Sequence, residues 1–288
     1  MNLNELPTLT YHFFEAPGKL TITNNDFSIM IEANYDCDSN FVLDAKSFDM
    51  LKKLGGPIKV NNNTISFNKY KCQNLNVNRP KINYDNFIYN NKYNSDILKE
   101  AAKFTGPNNT LKGVLLNDNG DIFATDSFKF YFKREIRPYT HFWSIPLQFI
   151  SLLPKGKITL NFTANKIIGT NNDFRIIGSV YNDKVPSIER ICDNFKTLHT
   201  VEITNKPELT YLPCDEVKIK VDNGVHFIFD DNEKSFVVDY DIPTDFNFEC
   251  KISYNNLIAM LNDNMQIDFG ANMLRVNNKI IICYIREV

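Results

Sequence analysis

The 288-residue chain has no apolar run of the ~18–20 residues needed to span a bilayer. Its opening, MNLNELPTLT, has neither the basic stretch nor the apolar core of a secretion signal, so a soluble, cytoplasmic protein is expected. Six cysteines, Cys37, Cys72, Cys192, Cys214, Cys250 and Cys283, stand apart without a C-x-x-C pair. That removes the usual zinc spacing and gives no disulfide framework, so the thiols are expected reduced and mostly packed. The histidines, His12, His141, His199 and His226, show no ligand spacing. Asp36, Asp38 and Asn40 imitate the start of a calcium loop, but Phe41 stands where glycine is needed and Ser47 where glutamate is needed. No glycine-rich phosphate loop, nucleophile elbow or Cys-His pattern occurs. No catalytic residue, cofactor or metal is therefore expected, although acid pairs assembled only by folding leave no trace in a sequence. Single acids such as Asp118, Asp121 and Asp126 read as turn formers. With 32 Lys and Arg against 34 Asp and Glu the molecule is near neutral, so a nucleic-acid partner would have to meet a local basic surface.

What is present is 43% hydrophobic content, enough for two or three domain cores, and a composition rich in Asn, Lys, Ile and Tyr. The latter resembles coding in an AT-rich genome, as in a low-GC bacterium or its phage. Three stretches share a pattern of strand, polar turn and strand: KLTITNNDFSIMIEA from Lys19, DIFATDSFKFYFKRE from Asp121 and VHFIFDDNEKSFVVDYD from Val225. Period-two alternation on both sides of the turn predicts hairpins with one buried face. Leu20, Ile122 and Phe227 are equivalent, at offsets of 102 and 105 residues, so the repeating unit is a domain.

A short amphipathic helix follows each hairpin, in FVLDAKSFDMLKKL, FWSIPLQFISLLPKG and FECKISYNNLIAMLND. Phe48, Leu51 and Leu54 form the apolar side of the first, Phe149, Leu152 and Leu153 of the second, and Leu257, Met260 and Leu261 of the third. Asp44, Ser144 and Ser253 are the expected N-caps, with Pro146 just inside its helix. A further strand, turn and strand come after each helix, from Ile58, Lys157 and Met265. The middle repeat adds a helix over 95–104, whereas Pro207 disfavours one in the corresponding place of the third repeat. The prediction is an α+β protein of three mostly antiparallel repeats, 1–83, 84–195 and 196–288, joined near Lys81 to Asn86 and Cys192 to Thr200, with the first and third shortened.

The middle segment LKGVLLNDNGDIFATDSFKFYFKRE from Leu111 resembles the second domain of bacterial beta-type DNA sliding clamps, the beta subunit family of DNA polymerase III. The family's Leu-Asn-Gly start corresponds to Leu111-Lys112-Gly113, and its Thr-Asp-Gly-His-Arg-Leu signature to Thr125, Asp126, Ser127, Phe128, Lys129 and Phe130, of which Thr125 and Asp126 match outright. NELPTLTYHFFEAPGKLTIT resembles the family's opening. The end, KIIICYIREV, is similar to the terminal strand, with Cys283, Tyr284, Ile285, Arg286 and Glu287 in place of Met-Pro-Met-Arg-Leu. The similarity runs along almost the whole chain through many weak matches in order.

The resemblance implies three DNA-clamp domains with sheets outside and helices on the inner face, two chains closing head to tail into a ring. It implies sequence-independent attraction to duplex DNA, no catalysis, and a pocket for short linear peptides of DNA polymerase and clamp loader. Carried across, the pocket comprises Leu111, Thr125, Ser127, Phe128, Lys129 and Phe130 with Cys283, Tyr284, Ile285 and Arg286. The competing assignment for Phe128, Phe130 and Phe132 is a domain core at period two. DNA-facing candidates are Lys46, Lys52 and Lys53 on the first helix and Lys99 and Lys103 on the extra one, where a solvated helix face is the commoner role. Two other functions compete: a clamp-derived protein that binds partner peptides without encircling DNA, and an unrelated enzyme, which the triple repeat disfavours.

Overall fold

The computed structural model describes residues 3–26, 28–79, 87–106, 113–133, 141–171, 174–181, 195–204, 214–231, 234–261, 264–277 and 279–282. All three predicted hairpins form: Lys19–Thr23 with Ile29–Asn34, Ile122–Thr125 with Lys129–Lys133, and Val225–Asp231 with Lys234–Tyr240. Each follows an inner strand, Tyr11–Glu15, Gly113–Asn117 or Glu216–Val221, which pairs with it.

Four α-helices lie among the described residues: α1 Ala45–Leu54, α2 Ser95–Ala102, α3 Leu147–Leu152 and α4 Tyr254–Met260. Asp44 caps α1 by accepting from the Ser47 amide at 2.7 Å, and Ser253 caps α4 from the Asn256 amide at 3.2 Å. Ser144 does not cap α3. It is buried in strand Phe142–Pro146, and Pro146 itself takes the cap position without a side-chain hydrogen bond. Leu54 also departs from expectation: at the last residue of α1 it is 39% exposed, while Phe48 and Leu51 are buried.

The chain forms two compact units, each built from one outer repeat and part of the middle one. Unit 1, residues 1–99 and 145–182, holds an eight-stranded antiparallel sheet. Its order is Phe41–Asp44, Tyr11–Glu15, Lys19–Thr23, Ile29–Asn34, Phe174–Ser179, Lys166–Thr170, Lys157–Phe162 and Tyr89–Asn94. The last strand of the first hairpin thus pairs with the last strand of the middle repeat, Ile31 opposite Ile176. A separate three-stranded sheet, Ile58–Asn61, Thr64–Phe67 and Tyr70–Gln73, belongs to the same unit. Gly178 lies against Phe149 of α3, where an added Cβ would come within 2.7 Å of the ring.

Unit 2, residues 100–144 and 183–288, repeats the plan. Phe142–Pro146, Gly113–Asn117, Ile122–Thr125 and Lys129–Lys133 continue into Lys279–Ile282, Met273–Val276, Met265–Phe269 and His199–Ile203. A four-stranded sheet runs Lys234–Tyr240, Val225–Asp231, Glu216–Val221, Phe248–Ser253. Val217, Ile219, Phe227, Phe229 and Ile252 on its inner face pack with Leu257 and Met260 of α4. In the first repeat a short 3-10 turn, Leu3–Glu5, stands where the middle repeat has strand Tyr89–Asn94 and α2. The expected linker near 81–86 and residues 205–213 with Pro207 lie outside the described residues; of the one expected over 192–200, residues 192–194 lie outside them, and its last two residues, His199 and Thr200, already belong to strand His199–Ile203.

Candidate functional site

The turn after Thr125 is held by its own side chains. Thr125 Oγ1 accepts from the Ser127 amide at 2.9 Å, and Asp126 Oδ1 accepts from the amides of Phe128 at 3.0 Å and Lys129 at 2.9 Å. These bonds hold Ser127 at φ +76°, a left-handed conformation that favours glycine, the residue the clamp signature has at this place. The tight turn drives Phe128 outward, where it is 53% exposed beside the buried strand that follows.

Phe128 forms one wall of a cleft of about 480 Å³ contained within unit 2. Asp126 and Lys129 stand beside it, and Thr105 and Gly106, just past α2, supply a second side. The third repeat closes the cleft with Glu216, Lys251 and Ile252 at strand ends and with Ser253, Asn255 and Asn256 at the start of α4. One exposed aromatic ring and one aliphatic side chain ringed by charges and amides form a recess suited to a side chain or two of an extended peptide.

Lys129 and Asp126, which line the cleft, adjoin a polar cluster on neighbouring strands and α2. Lys129 Nζ lies 5.6 Å from the Phe104 ring centre and 3.6 Å from Asp126 Oδ2. Lys279, 5% exposed, reaches Glu100 at 2.5 Å, and the Tyr131 hydroxyl also meets Glu100, at 3.4 Å. Burial, with the nearby Glu100 charge, raises the Tyr131 pKa, so its phenol stays protonated and donates.

The structure separates the candidates read from the sequence. Phe128 and Lys129 line the cleft; Thr125 and Ser127 shape the turn that presents them. Phe130 packs inward, 9% exposed, with Phe195 and Met273, and Phe132 packs with Leu115 and Phe123. For those two the core reading holds, and it fails for Phe128. Leu111, Cys283, Tyr284, Ile285 and Arg286 lie outside the described residues. Sequence reasoning missed Glu216, Lys251, Asn255 and Asn256. The only signal near them was the cap at Ser253.

Among the lysines, Lys46, Lys53 and Lys103 are exposed. Lys52 is committed to the protein: its Nζ donates to the Leu6 carbonyl at 3.2 Å and to Thr8 Oγ1 at 2.9 Å. Lys99 Nζ donates to the Leu153 carbonyl at 2.6 Å. Among the described residues no group of three or more His, Cys, Asp or Glu side chains could hold a metal ion, and no helix is long and apolar enough to cross a membrane.

Three repeats of hairpin, helix and strands, with sheet halves shared between successive repeats, define a DNA-clamp fold. Comparison with solved structures finds the same fold in bacterial sliding clamps, the beta subunits of DNA polymerase III. The Pseudomonas aeruginosa subunit matches with a TM-score of 0.75 at 12% identity, over 99% of this chain and 97% of that one. The Helicobacter pylori beta clamp, bound to a DNA ligase peptide, matches with a TM-score of 0.75 at 10% identity, over 98% and 96%. A putative beta subunit from Eubacterium rectale matches at 0.73 and 16% identity, over 98% and 95%. No family model and no curated protein sequence matches the chain. The chain is thus similar to these beta clamps in fold, while its sequence has diverged far from theirs.

Proposed function

We propose that the protein is a cytoplasmic DNA sliding clamp, a processivity factor without catalytic activity. Its three clamp domains are 1–83, 84–195 and 196–288, and two copies close around duplex DNA. The cleft beside Phe128 takes short linear peptides from a DNA polymerase and from a clamp loader. The observation that carries the reading is this cleft, formed at the signature turn of the middle repeat in a fold whose Helicobacter pylori counterpart binds a DNA ligase peptide. Of the lysines on α1 and at α2, Lys46, Lys53 and Lys103 are the ones left to attract phosphates, a weak and sequence-independent pull that permits sliding.

The short first repeat, with Leu3–Glu5 in place of a strand and helix, favours a second reading: a clamp-derived protein that binds partner peptides without encircling DNA. Loading onto nicked circular DNA decides between them. A sliding clamp is retained on the circle and runs off when the DNA is linearised. Loss from circle and line alike, with peptide binding intact, selects the second reading. A folded Phe128→Asp variant that still binds clamp-partner peptides at wild-type affinity would sink the pocket in both.

A further inference from the structure

The strand that ends in the cleft, Phe248–Ser253, is an edge strand of its four-stranded sheet. Its inner side pairs with Glu216–Val221, Lys251 facing Lys218 and Ser253 facing Glu216. Just beyond that ladder the Tyr254 amide donates to the Asp215 carbonyl at 2.9 Å. Facing residues of an antiparallel ladder alternate between exchanging both backbone bonds and exchanging none. Counted back from Tyr254, Ile252 and Cys250 bond to the inner strand, and Lys251 between them turns its N–H and C=O outward. Among the described residues nothing pairs with these two groups, although Lys251 lines the cleft. A bare donor and acceptor on a strand edge are a template for one more extended segment.

The first repeat holds the same template filled. Phe41–Asp44 is also an edge strand, and it runs into α1 through the N-cap Asp44 as Phe248–Ser253 runs into α4 through Ser253. Tyr11 faces Asp44 and Phe13 faces Val42, so Val42 is the equivalent of Lys251. The Val42 N–H donates to Asn74 Oδ1 at 2.9 Å, and the Val42 carbonyl accepts from the Leu75 amide at 3.2 Å. An Asn-Leu pair thus satisfies both outward groups, with the side chain of one residue and the backbone of the next.

We infer that a partner peptide docks on the Lys251 edge in this way, through Asn or Asp followed by a large aliphatic residue. The side-chain oxygen accepts from the Lys251 N–H, the next amide donates to the Lys251 carbonyl, and the aliphatic side chain enters the cleft beside Phe128 and Ile252. The inference rests on the cleft being a peptide site, and adds which peptides it admits.

The test uses a capped peptide, Gln-Asn-Leu-Asn-Val-Asn, the sequence of residues 73–78, titrated into the isotope-labelled full chain and followed by NMR. The Lys251 amide resonance should move. N-methylation of the peptide leucine, which removes its donor, should weaken binding about tenfold, the worth of one neutral hydrogen bond, and replacing the first Asn by Ala should do about the same. Equal affinities for all three peptides, each lost in Phe128→Asp, overturn the edge pairing and leave the cleft standing as a peptide site. A Lys251 amide unmoved at millimolar peptide overturns the pairing as well. A response seen only after residues 283–288 are removed gives the edge to the chain's own end and overturns the assignment to a partner.

Discussion

His12 lies on strand Tyr11–Glu15 with its ring fully buried and stacked on Phe48 at 3.7 Å and 15°. Burial holds its pKa down at about 3, from an ordinary 6.5, with the Lys52 charge adding to the effect. An unfolded chain protonates this imidazole near 6.5, whereas the folded one refuses the proton until about 3. Between those values the unfolded state binds more protons, so stability falls as pH falls, and above pH 7 the ring contributes no slope. At about 1.4 kcal/mol per unit, going from pH 7 to pH 5 costs about 2 kcal/mol through this one side chain. His12→Phe keeps a flat ring on Phe48 and removes the titration. The carboxylates of Asp44 and Asp49 remain in both proteins, so most of their contribution cancels. Urea unfolding of both proteins at the two pH values should show the wild type losing about 2 kcal/mol more than the variant. Equal losses would refute the claim that this histidine is folded in its neutral form.

Four further outcomes are expected. Ser127→Gly should raise stability by about 1 kcal/mol in thermal unfolding, since glycine adopts the positive φ without strain. Gly178→Ala should cost about 1–3 kcal/mol, because the new methyl meets the Phe149 ring; an unchanged melting temperature would show that the ring moves freely. Glu100→Gln should destabilise by about 2 kcal/mol and more than Lys279→Met, since it leaves the buried ammonium without its carboxylate, as chemical denaturation can check. His226 hydrogen-bonds to Asp239 at 2.6 Å, which raises its pKa, so its NMR titration midpoint should lie above the ordinary histidine value and fall in Asp239→Asn.

The hairpins, the helices and the caps at Asp44 and Ser253 were legible because they are local: alternation and capping spacing operate within a few residues. The assembly of half-repeats into shared sheets was not. Period-two alternation settles which face of a strand is buried, yet says nothing about which strand lies along its edge, so the pairing of Ile31 with Ile176 left no mark. Likewise Phe128, Phe130 and Phe132 look alike in the sequence, and only the turn held by Thr125 and Asp126 turns the first outward. Lys52 and Lys53 are neighbours on α1, and what separates them is a carbonyl at Leu6, brought close by folding. His12 and His226 have opposite shifts for the same reason, one walled by rings and the other set beside carboxylates.

The sharing of sheets between repeats also sets a timetable for synthesis. As the chain leaves the ribosome, the hairpin ending at Ile29–Asn34 is made early, but the strand that covers its outer edge is Phe174–Ser179. Through the intervening stretch the nascent protein carries an open, apolar edge, a period of exposure to misjoining with other nascent chains. The middle hairpin waits in the same way for Lys279–Ile282, the last strand among the described residues. A chain truncated after its second repeat would complete the first sheet and leave the second open, so the loss of a terminal segment penalises a part of the molecule made more than a hundred residues earlier.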